Sequence, residues 1–253
     1  VSAAIEIARD VWRVPTTPWD LVNSFLVRAQ DGSFTLVDTG LKNAPARVGA
    51  ALAELGAAPQ AVTAIVLTHA HSDHAGGASR LSDMTGTGIT THESETDFVR
   101  RGRTPARDQS FLLGRLMRRV SDRFEAAPVA GAMADGDLLE GSGLRVHHTP
   151  GHTPGHCSLL HEPTGTLITG DAIWNMASRR TWPVLAFCTD AAMTQQTAAT
   201  LADLEYETVA FTHGPEIRGN GRKMVRSFLA NPRRFGPGLR TPGSRRRSTS
   251  NTT

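Results

Sequence analysis

The segment "IVLTHAHSDHAGG", residues 65–77, decides the reading of this chain, because an apolar run breaks there into three histidines and an aspartate within six positions. Together with the residues before it, "AVTAIVLTHAH" (61–71) has the length and β-branched content of a buried strand running into a polar end. In extended chain His69 and His71 lie two apart and point to the same side, and Asp73 and His74 follow at the start of a helix-like stretch. Four imidazole and carboxylate groups in the pattern H-x-H-x-D-H, directly after a strand, point to metal binding.

Other segments echo this one. "FTLVDTG" (34–40) reads as a strand ending in Asp38 and a turn glycine, and "TLITGD" (166–171) again carries an apolar strand into an aspartate. "TVAFTHG" (208–214) resembles "AIVLTHA" in its apolar run and in the Thr-His that closes it, which suggests two similar halves. Between the strands lie helix-like segments, "APARVGAALAELGA" and "DAAMTQQTAATLADLE". Alternating strands and helices predict an α/β architecture whose strand ends carry the polar residues. Gly76 and Gly77 are read as allowing close approach of the helix to the metal loop, since no phosphate-binding glycine pattern accompanies them.

A chain of 253 residues, 39% hydrophobic, can bury a sizeable core. No run approaches the roughly 18 apolar residues of a membrane span, and the first residues lack the layout of a secretory signal, although a chain starting at Val1 leaves a removed leader open. Two cysteines, Cys157 and Cys188, make no disulfide framework and suit the cytoplasm. Four arginines of the tail from about Gly236, "GPGLRTPGSRRRSTSNTT", account for the net charge of +3, and the rest of the chain is close to neutral. Residues 236–253 are expected to be disordered, and residues 1–235 to form a single domain with no membrane and no nucleic-acid partner. An arginine-rich insert at about 92–137 carries Leu113, Leu116, Met117, Val120 and Phe124 at helical spacing, with Arg115, Arg118 and Arg119 among them. It is either a helix packed on the scaffold with a solvated basic face, or a lid whose arginines meet an anionic substrate.

Taken in order, five segments resemble those of the metallo-β-lactamase superfamily: Asp38 in "LVDTG", the cluster "HAHSDH", His152 in "TPGHTPGH", Asp171 in "ITGD" and His213 in "FTHG". The resemblance runs from about Trp12 to His213. It implies an αββα sandwich of two mixed β-sheets flanked by helices, with the metals at one edge where strand-end loops from both halves meet. It assigns His69, His71 and His152 to one metal, Asp73, His74 and His213 to the second, and Asp171 as the bridge, with Asp38 supporting a ligand from behind. His156 is read as a hydrogen-bonding neighbour of the site or a structural residue.

Such a donor set suits two Zn²⁺ ions, with iron or manganese also accommodated. The implied activity is that of a dinuclear metal-dependent hydrolase in which a hydroxide between the metals attacks a small ester, thioester or lactone. Asp73 is the candidate for passing a proton to the leaving group. The branches of the superfamily separate on particular residues: zinc β-lactamases most often lack a carboxylate at the Asp171 position, and glyoxalase II enzymes append a substrate domain after the last histidine. Quorum-quenching lactonases commonly have a tyrosine where this chain has Trp174. The glyoxalase II and lactonase branches fit better than a true β-lactamase. An alternative reaction class, resembling the persulfide dioxygenases, would use a single iron on His69, His152 and Asp171. The segment "DAIWNMASRRTWP" is expected to line the substrate pocket, with Trp174 and Trp182 as apolar walls and Arg179 and Arg180 gripping a carboxylate or phosphate. A homo-oligomer is compatible with these residues.

Overall fold

The computed structural model describes residues 2–108, 123–177 and 179–232. Seven strands form one mixed sheet in simple order: β1 (Ile5–Ala8), β2 (Val11–Pro15), β3 (Asn23–Arg28), β4 (Phe34–Val37), β5 (Val62–Val66), β6 (Ile89–His92) and β7 (Val129–Met133). The first four are antiparallel, and β4 through β7 run parallel. The second sheet has the order β14-β11-β10-β9-β8, built from β8 (Leu138–Leu139), β9 (Leu144–His148), β10 (Cys157–His161), β11 (Thr166–Ile168) and β14 (Thr208–Ala210). In it only β11 and β14 are parallel. A short hairpin, β12 (Trp174–Met176) and β13 (Arg179–Thr181), stands apart.

Alternation along the strands divides the interior into three apolar layers. Phe25, Val27, Val37 and Val66 of the first sheet meet Val146, Leu159, Ile168 and Ala210 of the second, and this is the seam of the sandwich. Side chains one residue out of phase, such as Leu26, Leu36 and Ile65, face the opposite way. They pack against Val48 and Leu52 of α1 (Pro45–Glu54) and Leu81 of α3 (Ala78–Thr85). On the far side Leu160, Leu167, Val209 and Phe211 meet Ala198 of α5 (Ala191–Ala198) and Val225 and Phe228 of α6 (Gly221–Ala230). Stretches buried on both faces read as continuous apolar runs, which is why 65–67 and 209–211 show no polar alternation. Each fully buried Phe, Leu or Ile here contributes roughly 1.5–3 kcal/mol.

The αββα sandwich expected from the sequence is therefore present. Both cysteines are buried and unbridged, and no helix among the described residues is long and apolar enough to cross a membrane. The expected helix through Leu113–Phe124, with Arg115, Arg118 and Arg119, lies almost wholly outside the described residues, as does the tail 236–253. The rest of segment 92–137 is integral to the scaffold: it supplies helix α4 (Thr96–Arg101) and strand β7 at the sheet edge.

Candidate metal centre

Every chemically loaded side chain comes from a loop just past a strand end. β4 delivers Asp38; β5 delivers His69 and His71; the short helix α2 (Ser72–Ala75) adds Asp73 and His74. The β9–β10 loop carries His152, the turn after β11 carries Asp171, and the loop after β14 carries His213. Gly76 and Gly77 let this helical turn press onto its neighbour: a Cβ on Gly76 would lie 2.9 Å from the Lys42 nitrogen, and one on Gly77 2.5 Å from the Thr39 oxygen. The chain approached so closely is the turn after Asp38.

Among the described residues two separate donor trios assemble, His69, His71 and His152, and Asp73, His74 and His213, and a third group, His69, His74 and Asp171, joins them; within each the ligand atoms lie within 4.8 Å of one another. In the first, His71 Nδ1 lies 3.1 Å from His69 Nε2 and 2.9 Å from His152 Nε2. In the second, His213 Nε2 lies 3.3 Å from His74 Nε2 and 3.5 Å from Asp73 Oδ2. Asp171 spans the two, with Oδ2 3.1 Å from His152 Nε2 and Oδ1 3.4 and 3.2 Å from the Nε2 atoms of His74 and His213. The sequence-based ligand set is thus brought together completely, with a carboxylate oxygen facing each trio.

Whether these residues fit metal ions is decided by their other ring nitrogens. His74 Nδ1 donates to Asp38 Oδ2 at 2.8 Å, and His213 Nδ1 donates to the Leu21 carbonyl. His152 Nδ1 faces Cys188 Sγ at 3.4 Å. His69 Nδ1 meets the Thr68 hydroxyl at 3.1 Å, which in turn lies 2.8 Å from Asp38 Oδ2. An outer nitrogen that donates its proton leaves the inner Nε2 as a bare lone pair, the form that binds a divalent ion. The donor set therefore fits two such ions.

Charge points the same way. Burial holds His69 and His71 well below the usual imidazole range; neighbouring histidines, and for His71 the Arg107 guanidinium, push the same way. Burial also disfavours a proton on His74 and His152, yet carboxylates overcome it. Asp171, Asp73 and Asp38 raise His74 to about 9, and Asp171 and Cys188 raise His152 to about 10. Against its own burial, Asp171 is held well below the carboxylate range by His213, His74 and His152. Without metal the pocket stabilises cationic imidazole, and a divalent ion would replace those protons.

Asp38 is fully buried with φ +57°, a left-handed conformation that aspartate tolerates better than most residues. Its carboxylate accepts the Thr68 N–H at 2.8 Å as well as the Thr68 hydroxyl and His74, so it braces the histidine loop from behind. His156 takes a similar part: burial lowers it to about 3, and its neutral Nε2 accepts the Asp171 N–H at 2.7 Å.

Three contributors escaped the sequence reading. Glu95, fully buried, accepts the Ala70 N–H at 2.9 Å and the Gly155 N–H at 2.7 Å, and so clamps the His69/His71 loop to the His152 loop. Thr212 Oγ1 lies 2.8 Å from Asp171 Oδ1. Cys188 stands behind His152. No sequence pattern announces Glu95 or Cys188, because each acts on a segment distant along the chain. Thr212 stood in the echo "FTHG" without a role attached.

Over the donors lies a cavity of about 270 Å³ whose walls include Asp73, Arg107, Trp174 and Phe187. Trp174 forms an apolar wall, its ring 4.3 Å from that of His213. The other three residues expected in the pocket stand elsewhere, because β12 and β13 reverse the chain. Arg179 and Arg180 line a separate cavity with Ser227, Phe228 and Asn231, and Trp182 packs into the core 4.9 Å from Phe228.

The metallo-beta-lactamase superfamily model matches residues 17–213. The chain belongs to the metallo-β-lactamase superfamily. It is 28% identical over 200 residues to the probable metallo-hydrolase YybB of Bacillus subtilis, across 79% of this chain and 83% of that protein. The hydroxyacylglutathione hydrolase GloC of Haemophilus influenzae is 29% identical over 119 residues, 46% of this chain and 52% of its own length. Among solved structures, a metallo-beta-lactamase family protein from Thermus thermophilus shares the fold with a TM-score of 0.66 and 27% identity, over 89% of this chain and 80% of the other. A Cronobacter sakazakii metallo-beta-lactamase with a HARLDQ motif reaches 0.70 at 20% identity, over 91% and 95% of the two chains. Superfamily fold and paired donor trios together support a metal-dependent hydrolase.

Proposed function

We propose that this superfamily member hydrolyses a small ester, thioester or lactone at a dinuclear centre that holds zinc, in the glyoxalase II and lactonase-like branch. The observation that carries this reading is Asp171, which turns one carboxylate oxygen toward each donor trio. His69, His71 and His152 would hold one ion and Asp73, His74 and His213 the other. Bound there, two divalent ions would supply Lewis acidity toward the scissile carbonyl and would bring the pKa of water toward about 7.

The protein's own residues then divide the work. Asp38, Thr68 and the Leu21 carbonyl fix the imidazole tautomers, and Glu95 holds the two histidine loops in register. Asp73, whose side chain is 34% exposed and lines the cleft, would take a proton from the attacking water and hand it to the departing oxygen or sulfur. Trp174 supplies an apolar wall where a lactonase-like tyrosine would offer a hydroxyl, so the tyrosine's oxyanion contact has no like-for-like counterpart at that position. The hydroxyacylglutathione hydrolases among its partial relatives support a thioester or ester bond. A mononuclear iron dioxygenase would leave Asp73, His74 and His213 converged without a task.

Elemental analysis of protein purified without chelator tests this directly. Two metals per chain, mainly zinc, with turnover of aryl ester, thioester or lactone substrates, is the expected result. About one iron per chain, with oxygen uptake on a persulfide, would replace the proposal by the dioxygenase.

A further inference from the structure

Among the described residues, a guanidinium stands with the donors at the cleft. Arg107 lies with its guanidinium carbon 5.1 Å from the centroid of the Phe187 ring, and both residues line the cavity that opens onto His71, His152 and Asp171. A guanidinium laid over an aromatic face keeps its N–H donors in the plane, along its edge, where they match the two oxygens of a carboxylate.

Its position is fixed by bonds that lead to a metal ligand. The Asp108 N–H donates to the Cys188 carbonyl at 2.6 Å, and the Thr189 hydroxyl donates to the Ala106 carbonyl at 2.8 Å. In the same strap the Thr189 N–H donates to the His152 carbonyl at 2.9 Å, the Asp190 N–H donates to the Gly151 carbonyl at 2.8 Å, and Cys188 Sγ meets His152 Nδ1. Segment 106–108 is therefore tied through residues 188–190 to the loop that presents His152. A cation held in register with the donors is preorganised to hold one end of a substrate while the other end meets the centre.

We propose that Arg107, seated on Phe187, is a specificity-determining residue that binds a carboxylate on the substrate, so that the enzyme acts on small acyl compounds bearing a second, anionic carboxylate. The nature of the bond cleaved rests on the hydrolytic reading above; the carboxylate seat does not. Arg179 and Arg180, which sequence reasoning nominated for this task beside the arginines of segment 92–137, line a separate cavity, and Arg107 of that segment takes their place.

Calorimetry on the zinc-loaded protein with glutarate and pentanoate separates the two ideas. Both acids offer one carboxylate to the metals, and only glutarate has a second for Arg107. Glutarate should bind at least about tenfold more tightly than pentanoate, and Arg107→Gln should remove that advantage; Arg107→Lys, which keeps the charge without the planar fork, should retain part of it. Equal binding of the two acids in the wild type, or an unchanged advantage in Arg107→Gln, overturns the proposal. If Arg107→Gln proves unable to hold zinc, the Lys variant carries the same comparison. In turnover, the ratio of kcat/KM for 4-nitrophenyl hydrogen glutarate over 4-nitrophenyl pentanoate should fall at least about tenfold in Arg107→Gln, and equal losses on both esters overturn the proposal too. Absence of turnover of either ester by two-zinc wild type, with the glutarate advantage intact, would count against the hydrolytic reading and leave the carboxylate seat standing.

Discussion

The parallel strand pair β4/β5 and the parallel strand pair β11/β14 are built alike and used differently. In each, the first strand leads to an aspartate and the second to a Thr-His, and in each the threonine hydroxyl lies 2.8 Å from that aspartate's carboxylate: Thr68 with Asp38, Thr212 with Asp171. Yet Asp38 stands behind His74, whereas Asp171 stands between the two donor trios. The difference is reach. Asp38 directly follows the last residue of β4, while Thr169 and Gly170 intervene between β11 and Asp171, and Gly170 adopts φ +53°, where a side chain would collide with His156. Two extra residues and one permissive glycine turn a bracing carboxylate into one that faces both donor trios.

The sharpest way to break this contrast is to remove each carboxylate. Asp171→Ala is expected to lose metal and at least about a thousandfold in kcat/KM, since donors of both trios face it; retention of two metals with full activity would end the bridging assignment. Asp38→Asn should keep the capacity for two metals while weakening their affinity about 10–100-fold, with activity recovered at saturating zinc. A loss as complete as that of Asp171→Ala would erase the distinction between the two aspartates.

Protonation probes the same contrast without mutation. His74 and His152 are raised to about 9 and 10 by their carboxylate neighbours, so the metal-free fold binds more protons than the unfolded chain above the ordinary imidazole value. That contribution is complete below about pH 6.5 and is lost as pH rises through about 9 to 10. Melting of chelator-treated protein should therefore fall between about pH 7 and 10 more steeply than that of the zinc-loaded form, in which metal replaces the protons. Parallel pH curves for the two forms would contradict the carboxylate-imidazole coupling.

The smallest effects come from the paired threonines. Thr68→Val and Thr212→Val each delete a hydroxyl from a buried carboxylate, a loss of about 1.5–3 kcal/mol. Thr68→Val should appear mainly in the melting temperature and Thr212→Val mainly in zinc affinity. Identical profiles in chemical denaturation and zinc titration would show that the two halves are more alike in function than their carboxylates suggest.

Much of this was legible in the chain. The seven candidate ligands were readable because His69 to His74 are close in sequence, Asp171 and the Thr-His pair ending at His213 follow apolar strands, and the resemblance to the superfamily supplied His152. Glu95 gave no signal: it works by accepting N–H groups of Ala70 and Gly155, and backbone donors leave no trace in residue type. Arg179 and Arg180 were misplaced for a related reason, since proximity to Asp171 along the chain does not survive a hairpin that reverses direction within a few residues.

By itself the sequence determined an alternation of strands and helices and the donor chemistry, imidazole and carboxylate at strand ends, while its resemblance to the superfamily implied the sandwich. Only the tertiary structure decided how far each aspartate reaches, which nitrogens face inward and which arginine lines the cleft. Those outcomes depend on where loops from distant parts of the chain meet, and on two residues of reach past the end of a strand.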